Sequence, residues 1–323
     1  MAASGRVVVF GSLNVDSTSY VEAFPAPGET VLSHGFHVAL GGKGSNQAVA
    51  AHVAGAPVEL VARIGDDTTG DFAIATLERL GVPTAAIERV TDAPTGVAQI
   101  TVADSGENTV IVTGGANFAM SPDVVDAQRE RLAGAAVVLT QGELPVATID
   151  RLARVTAAAG ARFVLNLAPP ASVAPATLAI ADPLVLNEHE ARAVGLDADA
   201  AASSLDDWRG LAASAVGGIA RSIVVTLGAA GAVAASAEGS WSVPAARVDA
   251  VDTTGAGDGF TGTLAAFLAE GRPLGGALRI AVAAGTLAVQ ARGTVDSYAP
   301  RVAVLTAAGF AETAAGDSSE ATG

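Results

Sequence analysis

Two glycine-rich stretches near opposite ends of the chain carry the residue types and spacing that could do chemistry. In 252-DTTGAGDGFTG-262, two glycines flank a small residue where a helix is expected to begin, near Ala256. The main-chain N–H groups of Gly255, Ala256 and Gly257 can converge there, and the helix dipole adds positive potential. Such a nest binds an anion, typically a phosphate. Asp258 falls in the first turn of that helix, where a carboxylate is a poor anion ligand but well placed to take a proton from an attacking hydroxyl. Phe260 stands where a GxGxxG fingerprint would have its third glycine, so the stretch is not that motif. A glycine-rich helix start whose aspartate complements the dipole fits the same residues.

The second stretch is 41-GGKGSNQAVA-50. Lys43 is the only lysine among the 18 Lys and Arg residues of the chain. A Walker A loop would need glycine at His37 and Ser or Thr at Gly44, so this is not a P-loop. The glycines permit close backbone approach, and the Asn46 amide can donate and accept. Together Gly41, Gly42, Lys43 and Asn46 read as a polyol-binding corner. A compact ammonium kept in an arginine-rich chain points to a place where a planar guanidinium would not fit, the alternative being a chance surface lysine.

Weaker signals lie between them. Asn14 and Asp16 follow the strand-like run 6-RVVVF-10, and Glu143 follows another at 136–140. Ligand sites in open α/β sheets lie outside such strand ends, and paired carboxylates suit vicinal hydroxyls. In 187-NEHE-190, Asn187 and Glu190 either orient a metal–phosphate through water or form an N-cap with a capping-box glutamate. Thr226, Leu227 and Gly228 end a further strand where a nucleotide can lie. His34, His37, His52 and His189 show no metal-ligand spacing and read as structural or solvated.

The elements that must position these residues follow an alternating rhythm. Apolar strands are expected at 6–10, 58–64, 136–140, 162–167, 183–187 and 222–227. Helical patterns lie near 45–54, 70–80, 121–132, 145–159, 188–194, 205–217, 257–270 and 273–291. That rhythm implies an α/β fold: a mostly parallel, Rossmann-like sheet sandwiched by helices. Two segments depart from it. Residues 15–39 hold short extended pieces, and 95–115 reads as a hairpin turning at 104-DSGE-107. They are expected to form a small β-sheet lid inserted in one domain of residues 1–311, with a disordered tail at 312–323.

Composition narrows the partners. Net charge is −15 and aromatics are 4%, which disfavours nucleic acid and anionic membrane. No cysteine is present, so thiolate catalysis and Cys-ligated zinc are excluded. The longest uncharged stretch, 163–181, is broken by Pro169, Pro170 and Pro175, so no membrane span is expected. The reading is a soluble cytoplasmic protein.

Over residues 5–309 the chain resembles the ribokinase (PfkB-type carbohydrate kinase) family. The resemblance rests on 41-GGKGSNQAVAAHVAG-55 and 252-DTTGAGDGFTG-262, with 11-GSLNVD-16, 27-PGET-30, 65-GDD-67, 114-GGANFAMSP-122, Glu143, 187-NEHE-190 and 225-VTLG-228 in the family's order between them. It implies a ribokinase-like fold and ATP-dependent phosphorylation of D-ribose at the 5-hydroxyl. It also implies that Asn14, Asp16, Gly41, Gly42, Lys43, Asn46 and Glu143 hold the sugar. Asp258 would be the base, with Gly255, Ala256 and Gly257 as the anion hole. Asn187, Glu190, Thr226, Gly228 and Gly257 would face ATP and Mg²⁺. A K⁺ site would map to Asp252, Thr254, Ala288, Ala291, Gly293 and Ser297, and two lids would clasp into a homodimer. The alternatives are a kinase of the same family for 2-deoxyribose, a ketohexose or adenosine, and a non-catalytic sugar-binding protein.

Overall fold

Alternate residues of the first strand enter different cores: Val7 and Val9 pack in one hydrophobic cluster, Val8 and Phe10 in another. Both faces of a strand are buried only when helices cover both sides of its sheet. A computed structural model of the chain, which describes residues 5–197 and 201–310, has this sandwich. The disordered tail expected at 312–323 lies outside the described residues.

The chain opens with β1 (Val7–Phe10), leaves the main sheet for β2 (Asn14–Val21) and β3 (Gly35–Gly41), and returns through α1 (Lys43–Val53) to β4 (Val58–Gly65). Helix α2 (Thr68–Arg79) and strand β5 (Ile87–Val90) precede the hairpin β6 (Gly96–Ala103) and β7 (Asn108–Thr113). Then come α3 (Pro122–Ala127), α4 (Arg129–Ala133), β8 (Val137–Gln141), α5 (Val146–Ala159), β9 (Arg162–Asn166) and α6 (Pro175–Ile180). Next are β10 (Leu184–Asn187), α7 (Glu188–Ala193), α8 (Leu205–Ala215), β11 (Ser222–Thr226), β12 (Ala232–Ser236) and β13 (Gly239–Val243). Three helices close the fold: α9 (Ala256–Ala269), α10 (Leu274–Ala288) and α11 (Arg301–Ala307).

The main sheet has the order β13-β12-β11-β10-β9-β8-β1-β4-β5. It is parallel from β5 to β11, and β12 and β13 extend it antiparallel. The small second sheet, β3-β2-β6-β7, is the lid. In it Asn14 is paired with both Gly41 and Gly96, so Asn14 and Asp16 lie on a lid strand immediately after the crossing from β1.

The parallel strands expected from sequence are all present. The predicted helix at 121–132 is two short helices, and the one at 273–291 stops at Ala288. Helix α9 is the axis of the site: every residue from Asp258 to Ala269 is buried. It packs along α1, and Gly262 makes this possible. A Cβ there would meet the Gln47 carbonyl at 2.3 Å. The close approach sets the first turns of α1 and α9 side by side.

Candidate active site

The first turns of α1 and α9 use their N–H groups differently. A helix start leaves its first main-chain donors without intrahelical partners. At α1 they are taken: Lys43 N–H donates to Glu143 Oε2 (3.0 Å), Gly44 to Ser12 Oγ (3.2 Å) and Ser45 to the Ser12 carbonyl (2.9 Å). Ser12 also donates its hydroxyl to Glu143 Oε2. Gly42 caps this helix at φ +86°, and a Cβ there would meet Asn14 N at 2.8 Å. The α1 start is thus filled by the protein itself.

At α9 the donors are open. Among the described residues, the N–H groups of Gly255, Gly257 and Asp258 have no partner, while Ala256 N–H turns back to the Thr253 carbonyl at 3.3 Å. Of the sequence-predicted nest, Gly255 and Gly257 keep free donors and Ala256 does not. Tyr298 Oη donates to the Gly255 carbonyl (3.1 Å) and pins the turn from behind.

Asp258 is 7% exposed and both of its oxygens are bonded: Asn46 Nδ2 donates to Oδ2 (3.0 Å) and Gln47 Nε2 to Oδ1 (2.8 Å). Asn46 Oδ1, by contrast, is buried without a partner among the described residues. A buried acceptor left open costs about 1–3 kcal/mol, so it is a place made for a ligand donor such as a hydroxyl.

Charge converges on the same place. Burial pulls the Lys43 ammonium down, but the carboxylates of Asp258, Glu143 and Glu190 together hold it above its ordinary value. The ammonium makes no hydrogen bond within the described chain. Burial, then Glu143 and Asp258, push Asp16 up to about 6. Burial also raises Glu190, against the Asn187 N–H and Lys43. Asn14 is fixed by Asn117, whose Nδ2 donates to Asn14 Oδ1 at 2.7 Å. Its neighbour Gly41 lies against Asp16, whose carboxylate occupies the space of a Cβ.

The remaining predicted residues fall in two further groups. Asn187 and Glu190 form the capping box of α7: Glu190 N–H donates to Asn187 Oδ1 and Asn187 N–H to Glu190 Oε2, both at 2.8 Å. Thr226, Gly228, Ala256, Gly257, Phe260 and Val282 line a cavity of about 550 Å³ with mostly apolar walls, adjoining the α9 start. That volume suits a small-molecule ligand. Asp252 bridges the loop before α9 to the C-terminal loop, accepting from Thr254 N–H (2.9 Å) and Gly293 N–H (3.0 Å). Ala288 ends α10, Ala291 N–H returns to the Ala288 carbonyl, and Ser297 Oγ donates to the Thr294 carbonyl at 2.7 Å. Ser12, Gln47, Asn117, Gln141, Asn166 and Tyr298 were missed from sequence. The available signal was a neutral amide closing an apolar strand, as Gln141 closes β8 and Asn166 closes β9.

This fold and site define a class. Residues 4–301 match the sequence profile of the pfkB family carbohydrate kinases, and the chain belongs to that family. Among named relatives, it is 32% identical over 300 residues to the ribokinase of Schizosaccharomyces pombe, spanning 90% of this chain and 94% of that one. It is also 33% identical over 294 residues to the deoxyribokinase of Salmonella typhimurium, spanning 90% and 95%. The structure of Arabidopsis thaliana ribokinase complexed with ribose and ATP superposes with a TM-score of 0.86 at 29% identity, covering 96% of this chain and 100% of that one.

Proposed function

We propose that the protein phosphorylates D-ribose at its 5-hydroxyl, using ATP. The carrying observation is the buried Asp258 carboxylate beside the open N–H groups of the α9 start, with the unpartnered Asn46 Oδ1 and the Lys43 ammonium on the same side. Kinship with ribokinases, one of them solved with ribose and ATP, supports the choice of substrates.

In this reading Asn14, Asp16, Gly41, Gly42, Lys43, Asn46 and Glu143 hold the sugar hydroxyls. Asp258 accepts the proton of the 5-hydroxyl as its oxygen bonds to the γ-phosphorus. The bond from that phosphorus to the bridging oxygen breaks, and ADP leaves. The N–H groups of Gly255 and Gly257 stabilise charge on the equatorial oxygens, and positioning with electrostatics supplies most of the rate. The base adds roughly 10²–10⁴.

ATP would lie in the cavity beside Thr226 and Gly228. Each oxygen of Glu190 accepts one bond from Asn187 and keeps a lone pair, so this capping pair could hold a water bound to Mg²⁺. Bound Mg²⁺ would offset phosphate charge. The segment around Asp252, Thr254, Ala288, Ala291, Gly293 and Ser297 offers one carboxylate with carbonyl and hydroxyl oxygens. No group of three His, Cys, Asp or Glu arranged to hold a metal ion occurs among the described residues. That donor set fits K⁺ better than a tightly octahedral divalent ion. K⁺ there would fix the loop before α9.

Exposed Phe36 on β3 and Val110, Ile111 and Val112 on β7 support a homodimer through the lid. Among the described residues no helix is long and apolar enough to cross a membrane, and a cytoplasmic enzyme remains our reading. The domain is assigned to residues 1–311, with the lid inserted at about 15–39 and 95–115.

Kinship with a deoxyribokinase at comparable identity favours 2-deoxyribose as a second reading. ADP release measured over ribose, 2-deoxyribose, ketohexoses and adenosine separates the two. Ribose should give the highest kcat/KM, and a higher value for another acceptor would replace it.

A further inference from the structure

A chain of buried amides ends on the Asp258 carboxylate, and its polarity is set by the main chain. Asn166 Nδ2 donates to the Val185 carbonyl (3.1 Å), which turns Asn166 Oδ1 toward Gln47. Gln47 must therefore present Nε2, at 2.9 Å. The second hydrogen of that nitrogen reaches Asp258 Oδ1 at 2.8 Å. Gln47 Oε1 accepts from Gln141 Nε2 at 2.8 Å, which satisfies the amide at its other end. Gln47 and Gln141 are fully buried, and the chain joins the ends of β8 and β9 to α1 and α9. Reversing the Gln47 amide would set its carbonyl against two acceptors at once. Asp258 therefore meets only donors, Gln47 on one oxygen and Asn46 on the other.

We propose that Gln47 is a positioning residue for phosphoryl transfer: it fixes the rotation of the Asp258 carboxylate and keeps that carboxylate a proton acceptor. The proposal rests on the reading of Asp258 as the base. A donor on each oxygen holds the carboxylate in one rotation and leaves its remaining lone pairs open to a hydroxyl proton. Lys43 from α1, Asp16 from β2, Glu190 from α7 and Tyr298 from the C-terminal loop also act on Asp258 electrostatically. None of them is among its hydrogen-bond donors.

The test compares Gln47→Met and Gln47→Glu with wild type, each checked for folding by thermal unfolding. Met keeps the unbranched length and removes the donor. Its turnover should fall about ten- to a hundredfold, as expected for a lost hydrogen bond to a charged group, with KM for ribose within about threefold. Glu places a second carboxylate against Asp258. The acidic limb of the single-turnover rate at saturating ribose and ATP should then move up by about one pH unit or more, activity recovering at alkaline pH. A buried glutamine that merely fills the core would change stability and leave that limb in place. Near-wild-type turnover in folded Gln47→Met, or an unmoved limb in Gln47→Glu, overturns the proposal. If Gln47→Glu does not fold, the kcat-against-KM split of Gln47→Met decides alone. Asp258→Asn run in parallel separates the two readings. An active Asp258→Asn enzyme removes the base itself, while an inactive one beside a normal Gln47→Met removes only the role of Gln47.

Discussion

Asn117 sets which way Asn14 faces. Its Oδ1 accepts from Leu13 N–H at 2.8 Å and its Nδ2 donates to the Leu13 carbonyl at 3.2 Å, so its own orientation is fixed by the backbone. The remaining hydrogen goes to Asn14 Oδ1, which leaves Asn14 Nδ2 without a partner among the described residues. Asn14 can therefore offer a ligand a donor. Asn117→Asp should turn the Asn14 amide over, because a carboxylate oxygen would face Asn14 Oδ1. KM for ribose should then rise up to about tenfold, with KM for ATP unchanged. An unchanged ribose KM in the folded variant would mean that Asn14 does not read the sugar.

Lys43 is expected to be irreplaceable by arginine. Its ammonium sits among the carboxylates of Asp258, Glu143 and Glu190 and has no hydrogen bond of its own within the described chain. Lys43→Arg keeps the charge but changes a compact head for a planar fork. KM for ribose should rise about ten- to a hundredfold while KM for ATP stays near wild type. Wild-type ribose affinity would mark the lysine as a bystander.

Asp16 gives a pH signature in stability. Its folded pKa of about 6 stands above the ordinary 3.8, through burial and the nearby Glu143 and Asp258. A raised carboxylate favours folding below its unfolded pKa, and that advantage is lost as pH rises through about 6. Asp16→Asn should therefore melt above wild type at pH 7–8, and the gap should close toward pH 4. A gap in Tm that does not vary with pH would contradict the shift.

Potassium should activate. The bonds from Thr254 and Gly293 to Asp252 tie the loop before α9 to the C-terminal loop, so a cation among their oxygens would steady the α9 start. At constant ionic strength kcat should rise with K⁺ and rise little with Na⁺. Equal rates in K⁺ and tetramethylammonium would exclude an activating site there.

The parallel core was legible because both faces of its strands are buried, which writes continuous apolar runs such as 7-VVVF-10. The hairpin at 95–115 was legible from alternation around a turn. Strands β12 and β13 were not, since 232-AVAAS-236 and 239-GSWSV-243 are rich in alanine and serine, which are weak β signals. Helix α6 is too short to show a period. In the site, Asp258, Lys43 and Asn46 could be read because glycines mark their loops. Strand-ending amides such as Gln141 and Asn166 are visible in the sequence, but the partners that give them and Asn117 a role are not, because they lie far off: Gln141 meets Gln47 and Asn117 meets Leu13. The sequence pattern reads Glu143 as a sugar ligand; in the fold its carboxylate takes the Lys43 N–H at the start of α1.

In the proposed mechanism Asp258 takes the proton of a bound ribose hydroxyl. Asp258→Asn keeps the size of the side chain and removes the base. Calorimetric ribose binding should stay near wild type while kcat, followed by ADP release, falls by at least about 10². Turnover close to wild type in a folded Asp258→Asn protein would contradict the account.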